Sequence, residues 1–591
     1  MTTHRSPSSN LADHLLHALT FAAWQLDQRR RWRATAPEWV LAVVDPSMPP
    51  APPAGPRWQR LLPQPPTIRD LEELLGDVAR DPRPKGVVLH IRPLQMPASS
   101  IETLRAAIAK VRASGKRVVA WAPHYSLAGY YLATACDEIL VQKGGHAGPL
   151  SLLRGYFHIA DGLERAGLRF DAVQIAPHKT AADMFTRREM SAAAREMAEW
   201  LLQGSWDEIR AAIGAGRGLE PAAVDALLAK GFFTDVEART AGVVDDIVAE
   251  EDLPAHLAET DREPADIVHA RQARRVLIGA PPPPPGAYVA VLRIDGAIVD
   301  GESGGPPGPL PVPIVGDGRA GDLTVVQQAR RILADDDAVA LVVAIDSPGG
   351  SATASEAMAA AIEKVARRKP VVAYMGAVAA SGGYYVATPA QWIVAHPGTI
   401  TGSIGVITGK MVLGGLWNKL RFNHESLSRG GAAGLYDSAS GFTEAERGVV
   451  FDHIRRIYDV FLARVATSRN LPLEALDAVA GGRVFTGRQA LVHGLVDALG
   501  GFDDAIDKAR ALADVGPRVP AREVRIGRKR RGPSAVPAAA AAHALRGARA
   551  LMAAMVPGLT SLNAAQDAAE TARRLNGAAA LCLCPLIVEE R

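Results

Sequence analysis

The sequence predicts an α/β protein built from two tandem domains, each around a largely parallel sheet. Three observations carry that expectation. LAGYYLATACDEIL (127–140) matches SGGYYVATPAQWIV (381–394), with GYY and AT shared at one offset, 381 − 127 = 254. Apolar runs of strand length alternate with amphipathic stretches of helix length, the pattern of βαβ units. Between the two copies lies APPPPPG (280–286), whose five prolines exclude helix and central strand and make a stiff connector.

The elements follow in order, copy against copy. WVLAVVD (39–45) and YVAVLRIDG (288–296) read as opening strands. IRDLEELLGDVARD (68–81) and LTVVQQARRILADD (323–336) place apolar residues at helical spacing. GVVLHIRP (86–93) and ALVVAIDSP (340–348) are continuous apolar runs, as expected of strands covered on both faces. After a further helix, VVAWA (118–122) corresponds to VVAYM (371–375). The expected division is an N-terminal segment 1–34, a first repeat 35–279, the linker 280–286, a second repeat 287–512 and a basic, Ala-rich tail 513–591.

Composition removes several function classes. The 591-residue chain is 48% hydrophobic and 22% charged, the mix of a folded chain. Lys and Arg exceed Asp and Glu by 66 − 63 = 3, which gives no reason to expect a nucleic-acid partner; GRKRRG (527–532) reads as a solvated linker. Three cysteines, Cys136, Cys582 and Cys584, exclude a disulfide scaffold, and no metal or other cofactor is expected. No run of about 20 apolar residues is present to span a bilayer, and no secretory signal opens the chain. Residues 11–26 repeat Leu11, Leu15, Leu19, Ala22 and Leu26 at helical spacing, followed by Arg29–Arg31 and Arg33. That segment reads either as a helix on an anionic membrane surface or as a helix docked on the protein.

In parallel sheets, chemistry gathers where strands give way to helices. Two such junctions in the second repeat are rich in glycine and serine. The first is DSPGGS (346–351), where Gly349 and Gly350 permit a sharp turn with free N–H groups that could hold an oxyanion. The second is AASGGYY (379–385), which places Ser381 at a strand–helix junction, either as a nucleophile or as a plain N-cap. A serine nucleophile needs a base. His396, His424, His453 and His493 are available but sit in no pairing motif; a buried lysine is the alternative. In the first repeat Ser381 aligns with Leu127 and the SPGG turn with Pro93–Met96, so that copy lacks its own nucleophile. It does carry Lys179 in QIAPHKTAADMFTRREMS (174–191), where the second repeat has only Gly and Ala around Gly431.

At these residues the sequence resembles the signal peptide peptidase A, or protease IV, family in its long tandem-repeat bacterial form, over roughly residues 35–510. The carrying motifs are DSPGG–S-x-x-x-S-E (346–356), AASGGYY (379–385), P-x-T-x-TGSIG (397–405) and K-x5-F-x-R-x2-MS (179–191). The resemblance implies two Clp-protease/crotonase-like domains and a serine endopeptidase whose Ser–Lys dyad is split across the repeats. It places the nucleophile on Ser381, the general base on Lys179 and a lysine-orienting role on Ser403. It assigns the oxyanion N–H groups to Gly350 and Gly382, with Gly349 shaping the turn. It further implies signal-peptide remnants or other apolar unfolded peptides as substrates, an acyl-enzyme intermediate and a homo-oligomer, a tetramer by analogy. The absence of a membrane anchor departs from the family's usual form. It leaves a cytoplasmic enzyme, or one held peripherally at a membrane through residues 11–33. Other readings are an inactive peptide- or membrane-binding scaffold, an acyl-CoA-processing enzyme of the same fold, and a Ser–His hydrolase. His178 beside Lys179 could tune the lysine or simply face solvent.

Overall fold

The structure is a computed structural model and describes residues 7–50, 65–175, 177–259, 263–304, 318–476 and 479–525. GRKRRG, Cys582 and Cys584 lie outside the described residues.

The first repeat follows a long helix, α1 (Pro7–Arg33). Four strands of its seven-stranded sheet, β1 (Trp39–Val44), β2 (Gly86–Ile91), β3 (Arg117–Tyr125) and β4 (Glu138–Ala147), run parallel in the order β4–β3–β2–β1. Between them run α2 (Ile68–Arg80), α3 (Ala98–Ala113) and α4 (Leu127–Ala133). α2 begins where Thr67 and Asp70 cap each other's backbone N–H groups, and it buries Ile68, Leu71, Leu74, Leu75 and Val78 along one stripe. β5 (Arg169–Gln174) and the long α5 (Ala192–Arg217) then leave the sheet toward the second repeat.

The second repeat rebuilds this plan with β6 (Tyr288–Asp295), α6 (Asp322–Ala334), β7 (Ala338–Ser347), α7 (Ala352–Ala366) and β8 (Val371–Ala380). There follow α8 (Gly382–Ala387), β9 (Ile400–Gly402), β10 (Ile407–Val412), α9 (Glu444–Arg469) and β11 (Ala521–Glu523). Within an eight-stranded sheet these strands lie in the order β9–β8–β7–β6–β11. Both sheets are apolar on both faces, as the sequence runs foretold; the second face of the first sheet is covered by Val248, Leu253, Leu257 and Ala265. The architecture is two tandem Clp-protease/crotonase-like domains. β11 adds to β6 from within the segment expected to be tail, so the second sheet continues past residue 512.

Two features lock the repeats together. β5 of the first pairs antiparallel with β10 of the second, from Ile407 opposite Gln174 to Val412 opposite Arg169. Met197, Ala198 and Leu201 of α5 pack against Val378, Ala380, Ile400 and Val484. A polar seam completes the contact. Glu102 accepts the Gly398 N–H at 3.1 Å, and Arg488 pairs with Glu208.

α1 docks through one stripe. His17, Phe21, Trp24, Gln28 and Arg31 are half-buried; Arg31 donates to the Arg274 and Leu277 carbonyls, and Gln28 accepts the Gly279 N–H. The opposite stripe stays open, with Leu15, Leu19 and Leu26 at 58%, 70% and 67% exposure and Arg29 and Arg33 continuing it. No helix among the described residues is long and apolar enough to cross a membrane.

Candidate active site

β8 runs five residues past the apolar run 371–375 and ends against Ser381, whose N–H donates to the Gly402 carbonyl at 2.8 Å. Ser381 takes φ 54°, ψ −118° and caps no helical N–H. A non-glycine residue held at positive φ is strained and needs its surroundings to hold it there. The expected plain N-cap role is thereby excluded, and the hydroxyl is free for another partner.

That partner arrives from the other repeat. β5, pinned to β10, delivers the segment that ends in Lys179; the Ile175 N–H donates to Val406 and the His178 N–H to Gly481. Lys179 is 3% exposed. Its Nζ lies 3.0 Å from Ser381 Oγ, 2.9 Å from Ser403 Oγ and 2.9 Å from the Ser403 carbonyl. Ser403 also sits at positive φ, 52°, and its N–H is fixed by the Arg483 carbonyl at 2.7 Å. All three polar side chains expected from the sequence therefore meet at one point, although Lys179 and Ser381 stand 381 − 179 = 202 residues apart.

The glycine turn closes on the same point. Gly349 and Gly350 take φ 101° and 152°, which side-chain-bearing residues rarely adopt. A Cβ on Gly349 would lie 2.7 Å from the Gly382 N and 2.8 Å from Ser381 Cβ, so only glycine lets this turn touch the serine loop. A Cβ on Gly382 would lie 3.3 Å from the Gly350 N, so the glycine turn and the start of α8 approach closely beside Ser381. Gly382 opens α8, where a helix leaves its first N–H groups without intrahelical acceptors.

The histidines do not join the serine. His396 is buried at the seam between the repeats, 3.1 Å from both Thr103 and Tyr374, and burial pushes its pKa down to about 4. His424 packs on Trp417, and His493 lies between Trp200 and Phe485. His178 is half-buried and faces Arg483 at 3.0 Å and Glu196 at 3.5 Å. In the first repeat, the place of the turn and serine is filled by Leu94, Met96 and Leu127 within the apolar core.

One determinant escapes the motif reading. Gly482, at φ 91°, lies flat against Lys179: a Cβ there would come within 2.4 Å of the Lys179 N and 2.5 Å of its Cα. Gly405 closes the other side, its Cβ position 3.3 Å from Lys179 Cδ. The GG pair at 481–482 was the available signal, but its partner is distant in sequence.

The model of peptidase family S49 matches this chain twice, over residues 110–263 and 363–516. The chain belongs to peptidase family S49. The two matches start 363 − 110 = 253 residues apart, one residue from the repeat offset of 254. The chain is 30% identical over 462 residues to the protein named serine protease SPPA, chloroplastic, of Arabidopsis thaliana, covering 76% of this chain and 66% of that one. It is 29% identical over 464 residues to protease 4 of Haemophilus influenzae, covering 73% and 71%. A putative protease of Methanocaldococcus jannaschii is 35% identical over 181 residues, 31% of this chain and 58% of that one. This chain thus spans about two thirds of the length of the first of these relatives and carries the family match twice.

Proposed function

We propose that this S49 peptidase is a serine endopeptidase with a Ser381–Lys179 dyad split across its repeats, acting on apolar unfolded peptides such as signal-peptide remnants. The observation that carries the reading is the 3.0 Å approach of Lys179 Nζ to Ser381 Oγ across the repeat boundary. A neutral amine has two N–H donors and one lone pair. Ser403 Oγ and its carbonyl can accept from the two donors while the lone pair turns to the Ser381 hydroxyl. Burial withholds the hydration that stabilises an ammonium, the condition for an amine to act as base near neutral pH.

In the proposed cycle Lys179 takes the Ser381 proton as Oγ attacks the scissile carbonyl. The Gly350 and Gly382 N–H groups receive the developing oxyanion, worth about 3 kcal/mol for each donor in comparable sites. The proton on Lys179 passes to the leaving amine, and an acyl-enzyme remains. Water, deprotonated by Lys179, then releases the second product. Hydrolysis of a fluorogenic apolar peptide by wild type, Ser381→Ala and Lys179→Ala tests the reading. Cleavage by wild type with background rates for both folded variants is expected. A fully active Lys179 variant defeats the dyad, and a wild type inert toward a broad peptide panel favours the scaffold reading.

We further propose two partners. The outward leucine stripe of α1, continued by Arg29 and Arg33, suits an anionic lipid surface: apolar side chains enter while guanidinium groups meet headgroups. Leu427 and Tyr436, at 98% and 96% exposure in one loop, suit burial between copies of this chain, and light scattering reads the oligomer directly.

A further inference from the structure

The strand that carries the serine is interrupted just before it. β7 and β8 pair in register up to Ile345 opposite Met375, and pair again at Ser347 opposite Ala379. One residue of β7, Asp346, therefore stands against three of β8, namely Gly376, Ala377 and Val378. Such a bulge takes ladder N–H groups away from their ordinary acceptors, and buried N–H groups need replacements. Asp346 supplies them. Its Oδ1 accepts the Val378 N–H at 3.1 Å, and the Ala377 N–H also donates to this carboxylate. A Cβ on Gly376 would lie 3.4 Å from Asp346 Cγ, so the carboxyl group fills the hollow of the bulge.

The active site lies directly beyond the bulge. Ala379 and Ala380 are taken up by Thr401 and Gly402 of β9, and Ser381 comes next. On its own strand, Asp346 immediately precedes Ser347 and the Gly349–Gly350 turn. One carboxylate thus ties the strand leading to the oxyanion turn to the strand leading to the nucleophile. The first repeat is the internal comparison. The offset puts Arg92 at this place, 346 − 254 = 92, and Arg92 turns to Asp45 at 3.2 Å. There β2 and β3 part at His90 opposite Trp121 and do not pair again. The copy without the carboxylate is the copy without the serine.

We propose that Asp346 is a positioning residue: through the Ala377 and Val378 N–H groups it fixes where Ser381 stands relative to the Gly349–Gly350 turn. The proposal rests on Ser381 being the nucleophile. The carboxylate is held at a cost. Burial, and then Asp295 beside it on β6, push its pKa up to about 6, with Arg293 acting in the opposite sense. Asp346→Asn removes that buried charge and keeps one carbonyl acceptor of the same shape, whereas Asp346→Ala removes both.

This gives the test opposing signs. At pH 8, Asp346→Asn is expected to unfold at the wild-type temperature or above it. Its kcat toward a fluorogenic apolar peptide should fall tenfold or more, with KM within about threefold, since misplacements of about 1 Å cost on the order of a hundredfold. Asp346→Ala should be slower still and less stable. Amide hydrogen exchange across 376–381 should quicken in both variants. Wild-type kcat and wild-type exchange in folded Asp346→Asn would overturn the proposal. So would activity lost only in step with a lowered unfolding temperature, the mark of a general structural role. A wild type that cleaves no peptide defeats the peptidase reading instead; the exchange of 376–381 still decides whether Asp346 holds that segment.

Discussion

Gly482→Ala is the sharpest probe of how the lysine is held. The added Cβ would come within 2.4 Å of the Lys179 N, 2.5 Å of its Cα and 2.7 Å of its Cβ. Ordinary contact begins near 3.4 Å, so one backbone must retreat by about 1 Å. Alanine at φ 91° adds roughly 1–3 kcal/mol of backbone strain, and overpacking a close contact adds a similar amount. A retreat of about 1 Å takes Nζ out of the 2.6–3.2 Å window in which a base can take a hydroxyl proton. The expected loss in kcat is about a hundredfold. The assay is kcat and KM on a fluorogenic apolar peptide, read beside the unfolding temperature. Gly430→Ala is the control, because Gly430 has φ 84° and open space around its Cβ position. It carries the strain without the clash and should keep full activity. Gly482→Ala with kcat within threefold of wild type would refute the claim that this contact places the amine.

The same geometry sets three more expectations. Burial pushes the Glu102 carboxyl from 4.5 up to about 7, so the folded state binds this proton more tightly than the unfolded chain. The resulting penalty is absent below about pH 4.5, grows up to pH 7 and is full above it, at most about 3 kcal/mol for a 2.5-unit shift. Glu102→Gln should therefore raise the unfolding temperature at pH 8 and hardly change it at pH 4.5, and equal gains at both would contradict the assignment. Ser403→Ala leaves Lys179 its carbonyl partner but removes Oγ; about a tenfold drop in kcat with little change in KM is expected, and an unchanged kcat speaks against an orienting role. Replacing Leu15, Leu19 and Leu26 together with Glu should abolish co-sedimentation with phosphatidylglycerol vesicles while peptide cleavage persists, whereas wild type that ignores such vesicles removes the lipid partner.

The sheets and the meeting residues were legible because each is announced locally. Apolar strand runs, the GYY–AT repeat and the glycine–serine junctions all lie within a few residues of what they specify. The complementary losses, Leu127 against Ser381 and Gly431 against Lys179, already pointed to a site made by two repeats. What stayed hidden depends on distant partners. AVAAS carries no strong strand signal, yet β8 continues to Ala380 because β9 and the Asp346 carboxylate supply its hydrogen bonds. Gly482 is an unremarked glycine until Lys179 is laid on it. The pairing of β5 with β10 joins segments more than two hundred residues apart, and neither has an alternating pattern long enough to reveal it. The α1 periodicity was visible, but not that Phe21 and Trp24 would face the protein and the leucines face away.

The central claim is that Lys179 of one repeat activates Ser381 of the other. It is tested without knowing the substrate, by the rate at which a fluorophosphonate labels Ser381, located by peptide mass spectrometry. Lys179→Met preserves the length and packing of the side chain and removes only the amine. Labelling confined to Ser381 in wild type and slowed by a hundredfold or more in folded Lys179→Met is the predicted result, the range expected for loss of a general base. Labelling of Ser381 at the wild-type rate without the amine would contradict the account.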